Sequence, residues 1–598
     1  MGGKNKQRTK GNVRPSSSGR AAELLARESG VVPGFVGFGT TATTELGYVP
    51  AVHGAEEIDN LVDADFRLVL RKLSKRDTVT KLKAVQEFGA MCQERDSEVV
   101  KGVLPYWPRI YCKISMDHDR RVREATQQAF EQLVLKVRRS LAPYLKSVMG
   151  HWLLSQCDSY PPAASAACQA FSAAFPPSKQ AEALSFCKDE VLTVLQDNLL
   201  KETPDTLSDP QSVPEEEREA KFLRLLTSSL LGVKRLLSSL PQTDTHNLQD
   251  RLTHLLNQAK FWKYSRHKTP QVRGAFFEVV SSLCEHTPGL VQTEAARVCP
   301  AVLLSIDDTD PVVLPPLWEA VLHTLSTLTD CWSHVNARKA VLPKLWSLLK
   351  DGGKGSATAL HPNLLPLISK LPTEVTTPNL DFYTTFYSCL IQGALGSPSL
   401  QAGPLFPLVT DMLISWEKRA GLQDVGVLSE GENEVVFDRL LADFWEGLRV
   451  MFARRVQSDS LELKDLEGMS SLLQVMQSPV SAGRKQTKKK RSVKICFSEP
   501  ESSGSPEEED EVALKYAQLE APELGQETAE GPLKSWHLEE IVCQQAQISY
   551  SHVNEKNSER HLVYLSLLLR SFHTPRVFTV SLPSFLLVHF LYCVLYWR

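Results

Sequence analysis

The residues best suited to touching phosphate stand at the start of the chain: Lys4, Lys6, Arg8, Lys10 and Arg14. With Arg20 they fill the stretch from Met1 to Ala22, in which there is no carboxylate. Such a run lacks the apolar surface to fold alone and is free to lie along a polyanion or to serve as a solubilising tail; charge alone does not choose. A second basic block, "SAGRKQTKKKRSVKICF" at 481–497, fits a nuclear import signal or a nucleic-acid patch. The acidic "SEPESSGSPEEEDEVA" follows at once, and loose pairing of the two blocks is the simpler reading. A third cluster, Trp262, Tyr264, Arg266, His267 and Lys268, interleaves rings with bases, a pattern that can stack RNA bases. The simpler reading is that Phe261 and Trp262 finish an apolar stripe and the basic residues form a solvated turn.

Other chemistry is absent from the sequence. The twelve cysteines are scattered, with no two closer than Cys157 and Cys168, so no Cys-x-x-Cys zinc or redox motif occurs. They read as reduced thiols of a cytosolic or nuclear protein. No His-Glu-x-x-His, Gly-x-Ser-x-Gly or phosphate-loop motif is found, so no catalytic, cofactor-binding or metal-binding residue is assigned. "PGFVGFG" places Phe35, Val36 and Phe38 among glycines, but no strand precedes it and no helix follows. It reads as an apolar docking patch on a flexible arm. The N-terminus has no apolar signal region, and Lys6 stands where a myristoylation site wants Ser or Thr. A net charge of −3 provides no global field toward nucleic acid or membrane.

The elements that must carry these groups are helices. Phe66, Val69, Leu70 and Leu73 recur at three-and-four spacing, as do Leu82, Val85, Phe88, Met91 and Cys92, then Val122, Ala125, Ala129, Leu133 and Val137. Period-two runs are rare, and breakers such as "SYPP", "KTPQ" and "DDTDP" recur between stripes. The fold class is therefore all-α, with helical hairpins stacked as a HEAT/armadillo-like solenoid.

Residues 119–125 ("DRRVREA") align with 269–275 ("TPQVRGA") and more loosely with "TDPVV" at 309–313. Leu82 and Val122, and Val272 and Val312, are each 40 residues apart, within the HEAT/armadillo period. Asp119 and Thr269 are placed to cap helix starts. Val122 and Val272 enter the first buried turn, and Ala125 admits a neighbouring helix.

The expected organisation is an arm over 1–55, a solenoid over 56–480 with a polar insertion at 201–214, a disordered charged loop over 481–530, further solenoid over 531–576, and an apolar tail over 577–598. From Val577 to Trp597 the tail has no charged residue, which is long enough to span a membrane. A tail-anchored or free HEAT-repeat scaffold, such as a transport adaptor, is the alternative reading of the whole chain.

The segments "MGGKNKQRTKGNVRPSSSGRAAELLA", "PGFVGFG", "HPNLLPLISKLP" and "SERHLVYLSLLLRSF" resemble the listerin family, from Met1 to about Phe578. That resemblance implies a RING-type E3 ubiquitin ligase whose long solenoid binds the 60S ribosomal subunit after stalled ribosomes split, and which ubiquitinates the nascent chain. It implies a partner that recognises the exposed peptidyl-tRNA, an E2 recruited through a C-terminal zinc RING, cytosolic location and a monomeric chain. It also makes Arg123 and Arg273 structural pairs along the stack, and tips the arm toward ribosome contact. The closely spaced RING ligands are missing, so this chain is expected to be inactive in ubiquitin transfer, with 577–598 read as sequence foreign to the family.

Overall fold

The computed structural model describes residues 58–376, 380–396, 430–457, 461–477, 536–572 and 574–581, with a few positions between 405 and 412. The basic arm, the "PGFVGFG" patch, the charged segment 481–530 and residues 582–598 lie outside the described residues. Among the described residues every regular element is helical. The chain divides into two compact units, Met1–Phe382 and Tyr383–Arg598, with the boundary inside the stretch that periodicity reads as one array.

The first unit is built from α1 (Ala64–Leu73), α2 (Thr78–Glu94), α3 (Trp107–Ile114), α4 (Arg120–Val137), α5 (Leu145–Gln156), α6 (Pro161–Ala174), α7 (Lys188–Leu200), α8 (Glu215–Ser239), α9 (Pro270–His286), α10 (Ala295–Leu303), α11 (Leu314–Thr327), α12 (Leu342–Lys350) and α13 (Ala357–Ser369), with shorter helical turns between them. Aspartates start the early helices. Asp63 accepts from the Phe66 amide at 2.9 Å, Asp77 from Thr80 at 2.7 Å and Asp119 from Arg121 at 2.8 Å, each satisfying a donor that the helix leaves free. Thr269 does not cap. Its side chain makes no capping bond, and its own amide donates to His267 Nδ1 at 3.1 Å. Pro270 then opens α9, where its missing donor costs nothing.

The helices lie in two rows. In one, α1 packs on α2, α2 on α4 and α4 on α6; further along, α8 packs on α9, α9 on α11 and α11 on α13. In the other, α3 packs on α5 and α5 on α7. This is the layered stack of a HEAT-like solenoid, in which each hairpin buries its apolar face against its neighbours. An aromatic spine runs through the first hairpins. Phe88 stacks on Trp107 with ring centroids 4.5 Å apart, Tyr111 meets Phe130 at 4.5 Å, Phe130 meets Trp152 at 4.6 Å, and Trp152 meets Phe171 edge-on at 5.2 Å. All six rings are buried.

The repeat register differs from the expected one. Val312 is exposed and Val313 is fully buried, so the spacing from Val272 is 41 residues, as it is from Val122 to the buried Ala163. Leu82 is not the counterpart of Val122 either; it is only half buried, and Thr80 holds that position. The register is set by a polar residue in the turn that leads each helix, not by the 40-residue spacing of apolar residues.

The second unit contains α14 (Leu380–Gly396), most of which lies within it, and α15 (Glu430–Gln457), α16 (Leu463–Gln477), α17 (Trp536–Lys556), α18 (Glu559–Ser571) and α19 (Pro575–Ser581). Here α15 packs on α17, α16 on α18, and α17 on both α18 and α19. Val577 is buried in α19. Among the described residues no helix is long and apolar enough to cross a membrane.

Candidate functional site

The groups that could do chemistry converge on the turns leading into α4, α6, α9 and α11. At position 117, 158, 267 or 308, a side chain accepts from the amide two residues on: Asp117 from Asp119 at 3.0 Å, Asp158 from Tyr160 at 2.8 Å, His267 from Thr269 at 3.1 Å and Asp308 from Asp310 at 3.0 Å. This fixes the turn. Three of the four also receive a cation from the preceding helix of the row. Lys81 of α2 donates to Asp117. Arg123 of α4 donates to Asp158 through Nε at 2.6 Å and Nη2 at 3.0 Å. Arg273 of α9 donates to Asp308 through the same atoms at 2.7 and 3.2 Å. The third guanidinium nitrogen, Nη1, reaches back to the turn before its own helix: to Asp117 O and His118 O for Arg123, and to His267 O and Lys268 O for Arg273. Each arginine thus ties two successive leading turns together, with the planar fork that a bidentate carboxylate contact needs.

Burial grades the three. The Arg123 and Asp158 side chains are 5% and 7% exposed, Lys81 and Asp117 are 9% each, and Arg273 and Asp308 are 17% and 14%. Val122 and Val272, one position before each Arg, are fully buried, and Ala125 is buried as well. Asp119 sits at the surface end of its turn. Its carboxyl is pushed down to about 2, first by the Arg121 side chain and then by the backbone amides it caps.

A second cluster of charge lies where α8 meets the turn between α3 and α4. The segment from Thr203 to Val213 contributes a capped turn at Pro204–Leu207, and α8 then reaches the α3–α4 turn. Arg224 donates through Nη2 to Met116 O and Asp117 O, both at 3.0 Å. His118 lies 3.2 Å from Asp117 and 3.1 Å from Glu217, and Arg76 lies 3.4 Å from Asp209. Lys221, one turn before Arg224, donates to Leu207 O at 2.8 Å. Its ammonium is pushed down to about 8, first by burial and then by Arg224, Lys81 and Lys113, against the pull of Asp117. Arg224 is lowered to about 10 by burial and then by Arg123. Lys113 is lowered by desolvation and then by Lys81.

The aromatic–basic cluster divides by type. Phe261 and Tyr264 are buried, the Tyr264 hydroxyl donates to Leu199 O, and Trp262 Nε1 donates to Leu256 O at 2.7 Å. Phe261, Trp262 and Phe276 pack together as core. Arg266 and Lys268 face solvent, and His267 is taken up by its turn. The rings are therefore not presented as a platform for bases.

Among the described residues no group of three or more His, Cys, Asp or Glu is placed to hold a metal ion. Every described cysteine is a free thiol, most of them buried. The sequence profile of "E3 ubiquitin-protein ligase listerin, N-terminal domain" matches residues 59–371, just over half of the chain and nearly all of the described solenoid of the first unit. The chain belongs to the listerin family. The E3 ubiquitin-protein ligase listerin of Gallus gallus is 55% identical over 98% of this chain and 36% of its own length. That of Mus musculus is 52% identical with the same coverage, and that of Drosophila melanogaster is 37% identical over 64% of this chain and 22% of its own. The chain spans about a third of the length of the first two and corresponds to an N-terminal region of a listerin-type ligase.

Lys4, Lys6, Arg8, Lys10, Arg14, Phe35, Val36 and Phe38, ahead of the listerin-family match, lie outside the described residues. Sequence reasoning missed Lys81, Asp117, Asp158 and Asp308 as partners, and Lys113, Lys221 and Arg224 altogether. One signal was available for the first group. An Asp at the head of a leading turn recurs in "DHD", "DSYPP" and "DTDP", each 35 or 36 residues after a cation.

Proposed function

We propose that this chain is the ribosome-binding solenoid of an E3 ubiquitin ligase acting in the cytosol. It docks on the 60S subunit left when a stalled ribosome splits, beside a partner that recognises the exposed peptidyl-tRNA, and holds the ligase in place for ubiquitination of the nascent chain. Ubiquitin transfer belongs to the family's zinc RING, which recruits the E2; the solenoid contributes position rather than chemistry, as a monomer. The observation that carries this reading is membership of the listerin family across residues 59–371. The arm supplies the phosphate contacts through Lys4, Lys6, Arg8, Lys10 and Arg14, and "PGFVGFG" supplies an apolar docking patch. Each phosphate contact releases counterions, so affinity should fall steeply with salt.

Co-sedimentation of the tagged full chain with split ribosomal subunits tests it. Selective pelleting with 60S over 40S, weakened by salt and by changing the five arm cations to Gln, is the expected result. Pelleting with 60S no better than that of an unrelated HEAT-repeat protein would overturn it.

A further inference from the structure

We propose that the joint between α8 and the α3–α4 turn binds a phosphate-type oxyanion, free or carried on a nucleic-acid backbone, held by Lys113, Lys221 and Arg224. Donors are left over at this joint. Arg224 uses only Nη2, on two carbonyl oxygens, and its Nε and Nη1 have no acceptor among the described residues. Lys221 uses one of its three protons, on Leu207 O, and Lys113 has no hydrogen-bond or ion-pair partner among the described residues. A half-buried guanidinium and ammonium are expected to be matched by carboxylates, because desolvated charge without a counter-charge is costly.

The nearby carboxylates are already engaged. Asp117 is held by Lys81, Asp158 by Arg123, Asp209 by Arg76 and Asp205 by Arg218; Glu217 faces His118. The three remaining cations meet at this joint: Lys221 and Arg224 lie one turn apart on α8, Arg224 bonds the two carbonyls that follow α3, and Lys113 stands in the last turn of α3. Beyond burial, Arg224 and Lys113 each depress the protonation of Lys221, which Asp117 opposes. A tetrahedral oxyanion meets all three needs at once. It neutralises the repulsion, accepts from the free guanidinium edge, and takes ammonium donors from α3 and α8, as phosphate sites built from Arg and Lys do. This site goes beyond the ribosome reading and stands without it.

Calorimetry and thermal melting of the full chain with pyrophosphate, against sodium chloride of matched ionic strength, test the site. Saturable binding with a raised melting temperature is expected. The double change Lys113→Met and Lys221→Met should weaken binding by at least about tenfold, while leaving the ligand-free protein melting no lower than the parent at pH 7. The single change Lys113→Gln, at an exposed side chain, should weaken binding without affecting the fold. A short single-stranded RNA is the second probe. Binding of pyrophosphate, with or without the RNA and lost in the variants, assigns a free phosphoryl group; binding of the RNA alone, lost in the variants, assigns a backbone phosphate. No saturable binding of either probe beyond the salt control, or binding that the variants keep, would overturn the proposal.

Discussion

Arg123 and Asp158 are joined by two hydrogen bonds across 35 residues, and 150 positions later Arg273 and Asp308 repeat the arrangement atom for atom. A buried pair of this kind adds little over well-packed apolar residues, but losing one partner leaves the other charge stranded. Arg123→Gln is expected to lower stability by about 3–5 kcal/mol. Arg273→Gln, in a more exposed pair, should cost distinctly less. Urea melts read the ranking, and the joint change Arg123→Met with Asp158→Leu should recover much of the loss. On the proposed 60S docking, binding to that subunit should change less than stability does, because Arg123 is occupied within the stack. A larger effect on affinity than on stability would assign Arg123 to the interface instead.

Asp119 both caps α4 and holds Arg121, so two substitutions separate the roles. Asp119→Ala should cost about 1 kcal/mol. Asp119→Asn keeps the capping acceptor and should cost less. The folded carboxyl titrates near 2, below its ordinary 3.8, so its charge stabilises the fold above the unfolded value and that contribution is lost as pH falls from near 4 toward 2. The stability difference between parent and Asp119→Asn should therefore shrink over that window. Thr269→Ala, at a helix start without a side-chain cap, should be close to neutral.

Lys221 gives the opposite pH behaviour. Its ammonium titrates near 8 in the folded chain, below the ordinary 10.5, so between these values the unfolded chain binds more protons and stability rises with pH. The penalty is fully present at pH 7. Lys221→Met should raise the melting temperature at pH 7, and its advantage over the parent should narrow from pH 7 to 9. An advantage independent of pH would mean that the substitution acts by packing alone.

Much of the fold was legible because a helix declares its buried face locally. The stripes Phe66–Leu73 and Val122–Val137 are visible within a few turns, and so is Asp119 as a cap. What could not be read is set by residues distant in sequence. Arg123 is an ordinary surface-type residue until Asp158 is placed beside it, and Lys221 looks solvated until α8 folds back onto Asp117. The slip from Val313 to Val312 has the same origin: the register is fixed by Asp308 bonding the Asp310 amide, which no apolar period reveals. Trp262 and Tyr264 invited a stacking role because sequence does not show that Trp262 packs on Phe276 or that the Tyr264 hydroxyl donates to Leu199 O.

Gly274 tests how closely the stack is packed. A Cβ built there would lie 3.2 Å from Val312 O and 3.6 Å from Pro316 Cγ, so α9 meets the turn before α11 with no room for a branched side chain. Alanine in a helix interior gains up to about 1 kcal/mol over glycine, and here that gain is opposed by a backbone oxygen that cannot rotate away. Gly274→Ala should come out near zero. Gly274→Val adds two methyl groups against the same wall and a poorer helix former, and should lose about 1–3 kcal/mol. Gly289, with nothing within 4 Å of its built Cβ, is the control at which alanine should be neutral or stabilising. Urea midpoints for the three variants decide it. If Gly274→Val is as stable as Gly289→Ala, the contact between α9 and the α11 turn is looser than the 3.2 Å approach implies.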